Sequence, residues 1–300
     1  MIEFFVYYSI GPLKDETEAF KGTEGSRGSG TLVLALISSC GDPPDSAEEI
    51  DISKKLIIAH RGAPFLAREN TLGSFKQAIS LGADVIEFDV RRTKDKVFIV
   101  YHDRSIQGKP IKSLTYGEIS QIARSRGFGI PTVKEVLKYT KGKIRLDVEL
   151  KEEGYEEEII ELLSKYFKRE QFVITSFNDS SLKRIKDNDP NIKVGLILGK
   201  FKPPLWVRIS EVFPMKRCKK SKADFLVAHW KLLRAGFLER ARRSHKPVIV
   251  WTVNDEEMIG KLLRDRRIYA IITDKPDLAV SLQKELLRQN KKTAGPGSWN

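Results

Sequence analysis

Seven residues have types and spacings suited to acid–base and cation chemistry: Glu87, Asp89, Glu149, His60, His102, Arg61 and Lys151. Glu87 and Asp89 are two apart, so on a strand both point to one face while Phe88 and Val90 point to the other. Glu149 and Lys151 obey the same parity. Any one of these carboxylates alone is compatible with an ordinary surface strand position. Gathering three of them in one place is costly unless a cation balances the charge. Three acidic oxygen donors suit a hard divalent ion, Ca²⁺ or Mg²⁺, with positions left open for water and substrate. One histidine can give a proton and the other take one near neutral pH. Arg61 can fork onto phosphate oxygens, and Lys151 can act as a point charge on the same group. His229 and His245 have no comparable neighbours in the sequence.

These residues need elements that bring them together. From Lys55 onward apolar runs alternate with helical patterns, the signature of a parallel sheet built from βα units. Strands are expected at Leu56–Ala59, Ala83–Val90, Val97–Tyr101, Lys143–Leu150, Phe172–Thr175, Lys193–Leu198, Ala223–Val227, Pro247–Trp251 and Tyr269–Ile272. The link from Val90 to Val97 is too short for a parallel crossover, so Val97–Tyr101 must return antiparallel. Removing that excursion leaves eight parallel strands. The expected fold is an α/β TIM (β/α)8 barrel with a short hairpin after the second strand and a small cap. In such a barrel reactive groups sit at the C-terminal ends of the strands, where all seven residues fall. A turn at Asp95-Lys96 puts Asp89 opposite or near His102. Asn254 is read as the cap of the helix that follows it, and Asp274 with Pro276 as the cap of the last helix.

Composition narrows the function classes. The chain of 300 residues is 41% hydrophobic and 31% charged, enough for a real core. Two cysteines exclude a disulfide framework or a Cys-rich zinc site. No apolar stretch reaches the length of a spanning helix, which excludes an integral membrane protein built on one. The net charge of +13 suits an anionic partner, and it is concentrated. Lys200 to Lys222 holds eight Lys/Arg against Glu211. A nucleic-acid groove would spread its basic residues among aromatics, so no nucleic-acid partner is expected.

Nine short motifs then occur in order: Ala59-His-Arg-Gly-Ala63, Glu69-Asn-Thr71, Glu87-Phe-Asp89, His102-Asp103, Ile130-Pro-Thr132, Glu149-Leu-Lys151, Thr175-Ser-Phe177, Val250-Trp-Thr-Val-Asn254 and Ile272-Thr-Asp274. Together they resemble the glycerophosphodiester phosphodiesterase family, from about Lys55 to Leu286. The resemblance implies a TIM barrel that hydrolyses a glycerophosphodiester to an alcohol and sn-glycerol 3-phosphate. It implies metal ligands at Glu87, Asp89 and Glu149, and acid/base histidines at His60 and His102. It further implies phosphate or substrate contacts at Arg61, Lys151, Asn70 and Trp251. The family usually carries a capping insertion after its His-Asp motif, whereas Arg104–Pro131 is short here.

Residues 1–54 read as a leader and linker, 55–290 as the barrel, and 291–300 as a disordered tail. Thr31–Cys40 resembles the end of a lipoprotein signal but lies far from Met1. The expected location is the cytoplasm, with peripheral membrane contact; the alternative is a lipoprotein anchored at Cys40. The stretch Pro203–Lys216 places Leu205, Ile209, Val212 and Phe213 on one helical face with basic residues behind them. This segment, 203–222, is read either as an anionic-membrane contact or as an ordinary crossover helix whose apolar face packs on the barrel. It also keeps open a lysophospholipase D-type enzyme acting on lysolipids. A non-enzymatic basic binding protein is the remaining alternative.

Overall fold

The computed structural model describes residues 55–200, 202–234 and 236–293. Eight parallel strands close into a barrel: β1 (Leu56–Ala59), β2 (Val85–Arg92), β6 (Arg145–Leu150), β7 (Phe172–Ser176), β8 (Lys193–Leu198), β9 (Phe225–His229), β10 (Val248–Trp251) and β11 (Ile268–Thr273). Pairing of β1 with both β2 and β11 closes the ring. The expected leader and the Cys40 anchor lie outside the described residues. The last helix runs to Thr293, past the expected barrel boundary at 290.

Alternation within the strands sorts the side chains into two cores. One face packs Ile57, Ile86, Phe88, Val148, Leu196 and their neighbours against the outer helices. The other fills the barrel with Ile58, Val85, Ile197, Phe225, Val227, Ile249, Ala270 and Ile272. That apolar plug occupies the lower barrel, and the same inward row continues upward into Glu87 and Asp89 on β2 and Asp147 and Glu149 on β6. Local signals start several helices. Thr71 caps α1 (Leu72–Ser80), and Thr-x-x-Glu capping boxes at Thr115/Glu118 and Thr132/Glu135 open α2 (Tyr116–Ser125) and α3 (Val133–Thr140).

The hairpin is present, with β3 (Phe98–Val100) antiparallel to the end of β2. Its register is one residue tighter than expected: Val90 faces Val100, so Asp89 lies beside Tyr101 rather than His102. Thr93 causes the difference. Its backbone pairs with Lys96 and Val97 and its hydroxyl accepts from the Val97 amide, which closes the turn with Lys96 in the left-handed region at φ 63°. Beyond β3 a two-stranded ribbon, β4 (Ser105–Ile106) with β5 (Lys109–Pro110), joins α2 to form the small cap. The cap has its own core of Ile99, Ile106, Ile111, Leu114, Ile119, Ala123 and Ile130.

Between β7 and β10 the chain departs from the expected pattern. After α4 (Glu156–Ser164), β7 and α5 (Asp179–Asn188), the stretch 203–222 forms two short helices, α6 (Leu205–Val212) and α7 (Met215–Ser221), broken at Pro214. The packed crossover is α7, which buries Cys218 and Ser221 and contacts α5. On the expected apolar face of α6, Val212 packs against the core while Leu205, Ile209 and Phe213 are exposed, as is Trp206, so the barrel covers only the end of that face. The remaining helices are α8 (Phe237–Arg243), α9 (Glu256–Arg264) and α10 (Pro276–Thr293).

Gly195 on β8 faces the barrel interior. A Cβ there would stand 2.8 Å from Val227 Cγ2 and 2.9 Å from Thr175 Cγ2. Gly195→Ala should therefore lower stability by about 1–3 kcal/mol through overpacking, measured by urea unfolding. A neutral result would mean that the barrel interior relaxes more freely than its packing indicates.

Candidate active site

The loop after β1 is built around a backbone that few residues adopt. Arg61 (φ 53°) and Gly62 (φ 92°) are consecutive left-handed residues. A Cβ at Gly62 would lie 2.7 Å from the Ser74 backbone carbon, so glycine is required there. The Ser74 hydroxyl donates to Arg61 O and accepts from the Ala63 amide, and the Asn70 amide also donates to Arg61 O. These bonds fix His60 and Arg61 over the strand ends. Arg61 then contributes twice: its amide donates to Glu87 Oε2 at 2.9 Å, and its Nε stands 3.1 Å from Asp89 Oδ2.

Glu87, Asp89 and Glu149 all come together at the mouth. Each offers one oxygen within 4.8 Å of the others'. Their surroundings differ. Asp89 is fully buried, with Lys151 Nζ at 2.7 Å and Asn70 Nδ2 donating at 2.7 Å. Burial alone would raise its pKa, but Lys151 and Arg61 hold it well below the usual carboxylate range. Glu149 receives Lys151 Nζ at 2.5 Å, yet burial keeps its pKa raised. Glu87 is pushed well above the ordinary value by burial and by the Asp89 and Glu149 charges. Its Oε1 is buried and has no hydrogen-bond partner. An orphaned carboxylate oxygen beside two other carboxylates fits a divalent cation, since a cation would balance the charge that burial now opposes.

His60 Nδ1 lies 2.6 Å from Asp274 Oδ1, and its Nε2 faces Glu87 Oε2 at 4.0 Å. Asn254 donates to Asp274 Oδ2 at 2.6 Å and accepts from the Asp274 amide. Neither residue is the helix cap the sequence suggested. Asp255 caps α9 by accepting from the Met258 amide, and Asp274 is committed to His60. Barrel closure explains this, because it sets the end of β11 beside the end of β1. His102 Nδ1 lies 2.8 Å from Asp103 Oδ1, and its carbonyl accepts two bonds from the buried Arg91 guanidinium. Arg91, Asp274 and Asn254 were not singled out as site residues. Asn254 and Asp274 do fall in two of the nine motifs, at or just past strand ends, whereas nothing in the sequence marks Arg91.

Asn70 and Trp251 occupy different settings. Both ends of the Asn70 amide are taken by Asp89, through its carboxylate and its backbone N–H. The Trp251 indole N–H donates to Leu198 O and Val227 O, leaving its ring against the edges of Phe177 and His229. Beside the carboxylates opens a cavity of about 320 Å³ lined by His102, Arg104, Lys151, Phe177, Asn178 and Lys200 among others. Arg91, Arg104, Lys151 and Lys200 outnumber the acids Asp103 and Glu149 in its walls, and Phe177 adds an apolar side. His245 is exposed, away from this site.

Asp147 stands opposite Glu87 across the β2–β6 pair. Burial pushes its pKa up to about 7, against a Thr175 hydroxyl bond of 2.7 Å that favours the charged form, with Glu149 and Asp89 adding to the rise. A carboxyl with a raised folded-state pKa contributes stability below its unfolded pKa, and that contribution is lost as pH climbs through the folded value. Asp147→Asn should thus raise metal-free stability by roughly 1–3 kcal/mol at pH 8, with the gain vanishing near pH 4. Thermal melts in chelator across that range test it; equal gains at both pH values would remove the buried charge as the cause.

A family model for the glycerophosphoryl diester phosphodiesterase family matches residues 60–278. A glycerophosphodiester phosphodiesterase of Caldanaerobacter subterraneus subsp. tengcongensis is 29% identical over 250 residues, 77% of this chain and 99% of that protein. One from Bacillus altitudinis is 28% identical over 77% of this chain and 98% of its own length. The crystal structure of a glycerophosphodiester phosphodiesterase from Parabacteroides distasonis superposes with a TM-score of 0.66 at 28% identity, covering 78% of this chain and 98% of that one. The family match runs from the end of β1 to just past β11 and includes the three carboxylates, the two histidines and the two cations. The chain belongs to the glycerophosphoryl diester phosphodiesterase family, whose members are phosphoric diester hydrolases.

Proposed function

We propose that the protein hydrolyses glycerophosphodiesters to sn-glycerol 3-phosphate and the free alcohol, with a Ca²⁺ or Mg²⁺ ion held by Glu87, Asp89 and Glu149. The observation that carries this reading is the buried carboxylate trio, with its orphaned Glu87 oxygen, between two histidines and two cations. A bound divalent ion supplies Lewis-acid neutralisation of the phosphate charge. Arg61 and Lys151 are anchored to Asp89, with Arg61 Nη1 also paired to Glu69 and Lys151 Nζ to Glu149, so both cations are fixed beside the carboxylates, where they can stabilise charge on the phosphoryl oxygens. Asp274 holds His60 through Nδ1, which leaves the Nε2 lone pair free to take a proton from the attacking water. His102 borders the basic cavity and donates the proton to the departing alkoxide as the P–O bond breaks. The nucleophile is a water molecule: its oxygen bonds to phosphorus as one of its protons passes to His60, the departing alkoxide takes one from His102, and exchange with solvent returns both histidines to their starting states.

A second reading, a lysophospholipase D-type enzyme acting on lysolipids, is favoured by one observation. Apolar side chains of α6 stand exposed immediately after β8, next to Lys200 in the cavity wall. No helix among the described residues is long and apolar enough to cross a membrane.

Hydrolysis of glycerophosphocholine and of lysophosphatidylcholine, each with and without EDTA, separates the two substrates and tests the ion. Activity should be lost in chelator and return with Ca²⁺ or Mg²⁺, and Glu149→Gln should weaken metal binding in calorimetric titration. Full activity after exhaustive dialysis against EDTA would sink the metal assignment. His60→Ala and His102→Ala should each lower kcat by roughly 10²–10⁴. Asp274→Asn should cost on the order of 10² in kcat with KM little changed, because the carboxylate selects the imidazole tautomer. Near wild-type turnover in any of these variants would reassign that residue.

A further inference from the structure

Among the described residues six large apolar side chains are exposed: Phe65, Leu66, Leu205, Trp206, Ile209 and Phe213. Their distribution is not that of scattered surface residues. All six stand on two segments, the loop after β1 and helix α6 with its end after β8. Both segments follow the C-terminal ends of barrel strands, the face onto which Glu87, Asp89 and Glu149 open. In the closed ring β1 and β8 are four strands apart in either direction, so the two apolar segments flank the mouth from opposite sides.

Helix α6 is held at this level by its own polar residues. Glu211, fully buried, accepts from the Gly199 amide at 2.9 Å and the Lys200 amide at 2.8 Å. Arg208 braces the same corner by donating to Glu211 and to Lys200 O. The helix is thereby tied to the end of β8 instead of descending the barrel wall, a task left to α7. Leu205 and Trp206 remain 75% and 72% exposed. The charge around them is one-signed: Lys200, Lys202, Arg208 and Lys216 lie on the segment, and its one acid, Glu211, is buried. Across the mouth Arg68 and Lys275 accompany Phe65, with Lys275 Nζ 5.5 Å from the Phe65 ring centroid, and the acid of that loop, Glu69, is paired with Arg61.

We propose that the mouth of the barrel docks on an anionic lipid bilayer, with Leu205 and Trp206 on one side and Phe65 and Leu66 on the other inserting between headgroups. Two separated apolar tips with a polar opening between them match a planar surface with an apolar layer beneath it. The surrounding Lys and Arg side chains match its negative charge. The docking surface deepens the hydrolase reading and rests on it only for the position of the active site. Its test reads binding, so it fails or stands independently of turnover.

The experiment is sedimentation of the full chain with vesicles of phosphatidylglycerol and phosphatidylcholine, against phosphatidylcholine alone, at low and high salt. Binding is expected to the anionic vesicles, to weaken with salt, and to fall about tenfold or more in Leu205→Ser/Trp206→Ser and in Phe65→Ser/Leu66→Ser. Hydrolysis of soluble glycerophosphocholine should be unchanged in both double variants, which also shows that they fold. Failure to bind anionic vesicles at low salt would overturn the proposal, as would full binding by either double variant. Light scattering supplies the remaining outcome: a wild-type dimer that the Leu205→Ser/Trp206→Ser pair dissolves, without vesicle binding, would assign the surface to a second copy of the chain.

Discussion

The carboxylates at the barrel mouth are the constraint around which the upper half of the molecule is arranged. Glu87, Asp89, Asp147 and Glu149 occupy adjacent inward positions of two paired strands, and all are buried. Left alone, such a cluster would be strongly unfavourable, since each charge loses its water and repels its neighbours. The structure offsets this unevenly. Asp89 is clamped by Arg61, Lys151 and Asn70, whereas Asp147 has one hydroxyl and Glu87 one backbone amide. Charge is thus fully compensated at one corner and left open at the next. A site that attracts a divalent ion needs that imbalance, because a trio neutralised by fixed cations would have no call for a mobile one.

The positioning shell follows from this. The left-handed turn at Arg61 and Gly62 delivers a backbone amide to Glu87 and a guanidinium to Asp89 from a single residue. Arg91, the next inward residue above Asp89 on β2, holds the carbonyl of His102 and so joins the hairpin to the site. Asp274 and Asn254 do the same for His60 from the last two strands. Each histidine has its Nδ1 engaged by a carboxylate, which turns both Nε2 atoms away from their supports. The lower barrel supplies rigidity in the form of an apolar plug with a glycine where two side chains meet.

Much of this was legible in the sequence because it depends on short-range geometry. A two-residue period puts Glu87 with Asp89 and Glu149 with Lys151 on one face whatever the fold around them. A six-residue link forbids a parallel crossover, which fixed the hairpin and with it the count of eight strands. Spacing brings His102 near Asp89 but leaves the register open by one residue, since Tyr101 comes to lie beside Asp89 through a side-chain bond from Thr93 that spacing does not reveal.

What only the tertiary structure decided involves partners far apart in the chain or faces with more than one possible neighbour. Asp274 is 214 residues from His60, and its role exists only because closure of the ring sets β11 against β1; read locally, an Asp ahead of a helix looks like a cap. The apolar periodicity of α6 indicated a helix but not what that helix would touch. The buried Glu211, tied to the amides after β8, holds it at the rim and leaves most of its apolar side uncovered. Sequence determined which side chains share a face, because strand and helix periods are properties of the backbone. Tertiary structure decided which faces meet, because that depends on ring closure and on the few polar contacts that tether each segment.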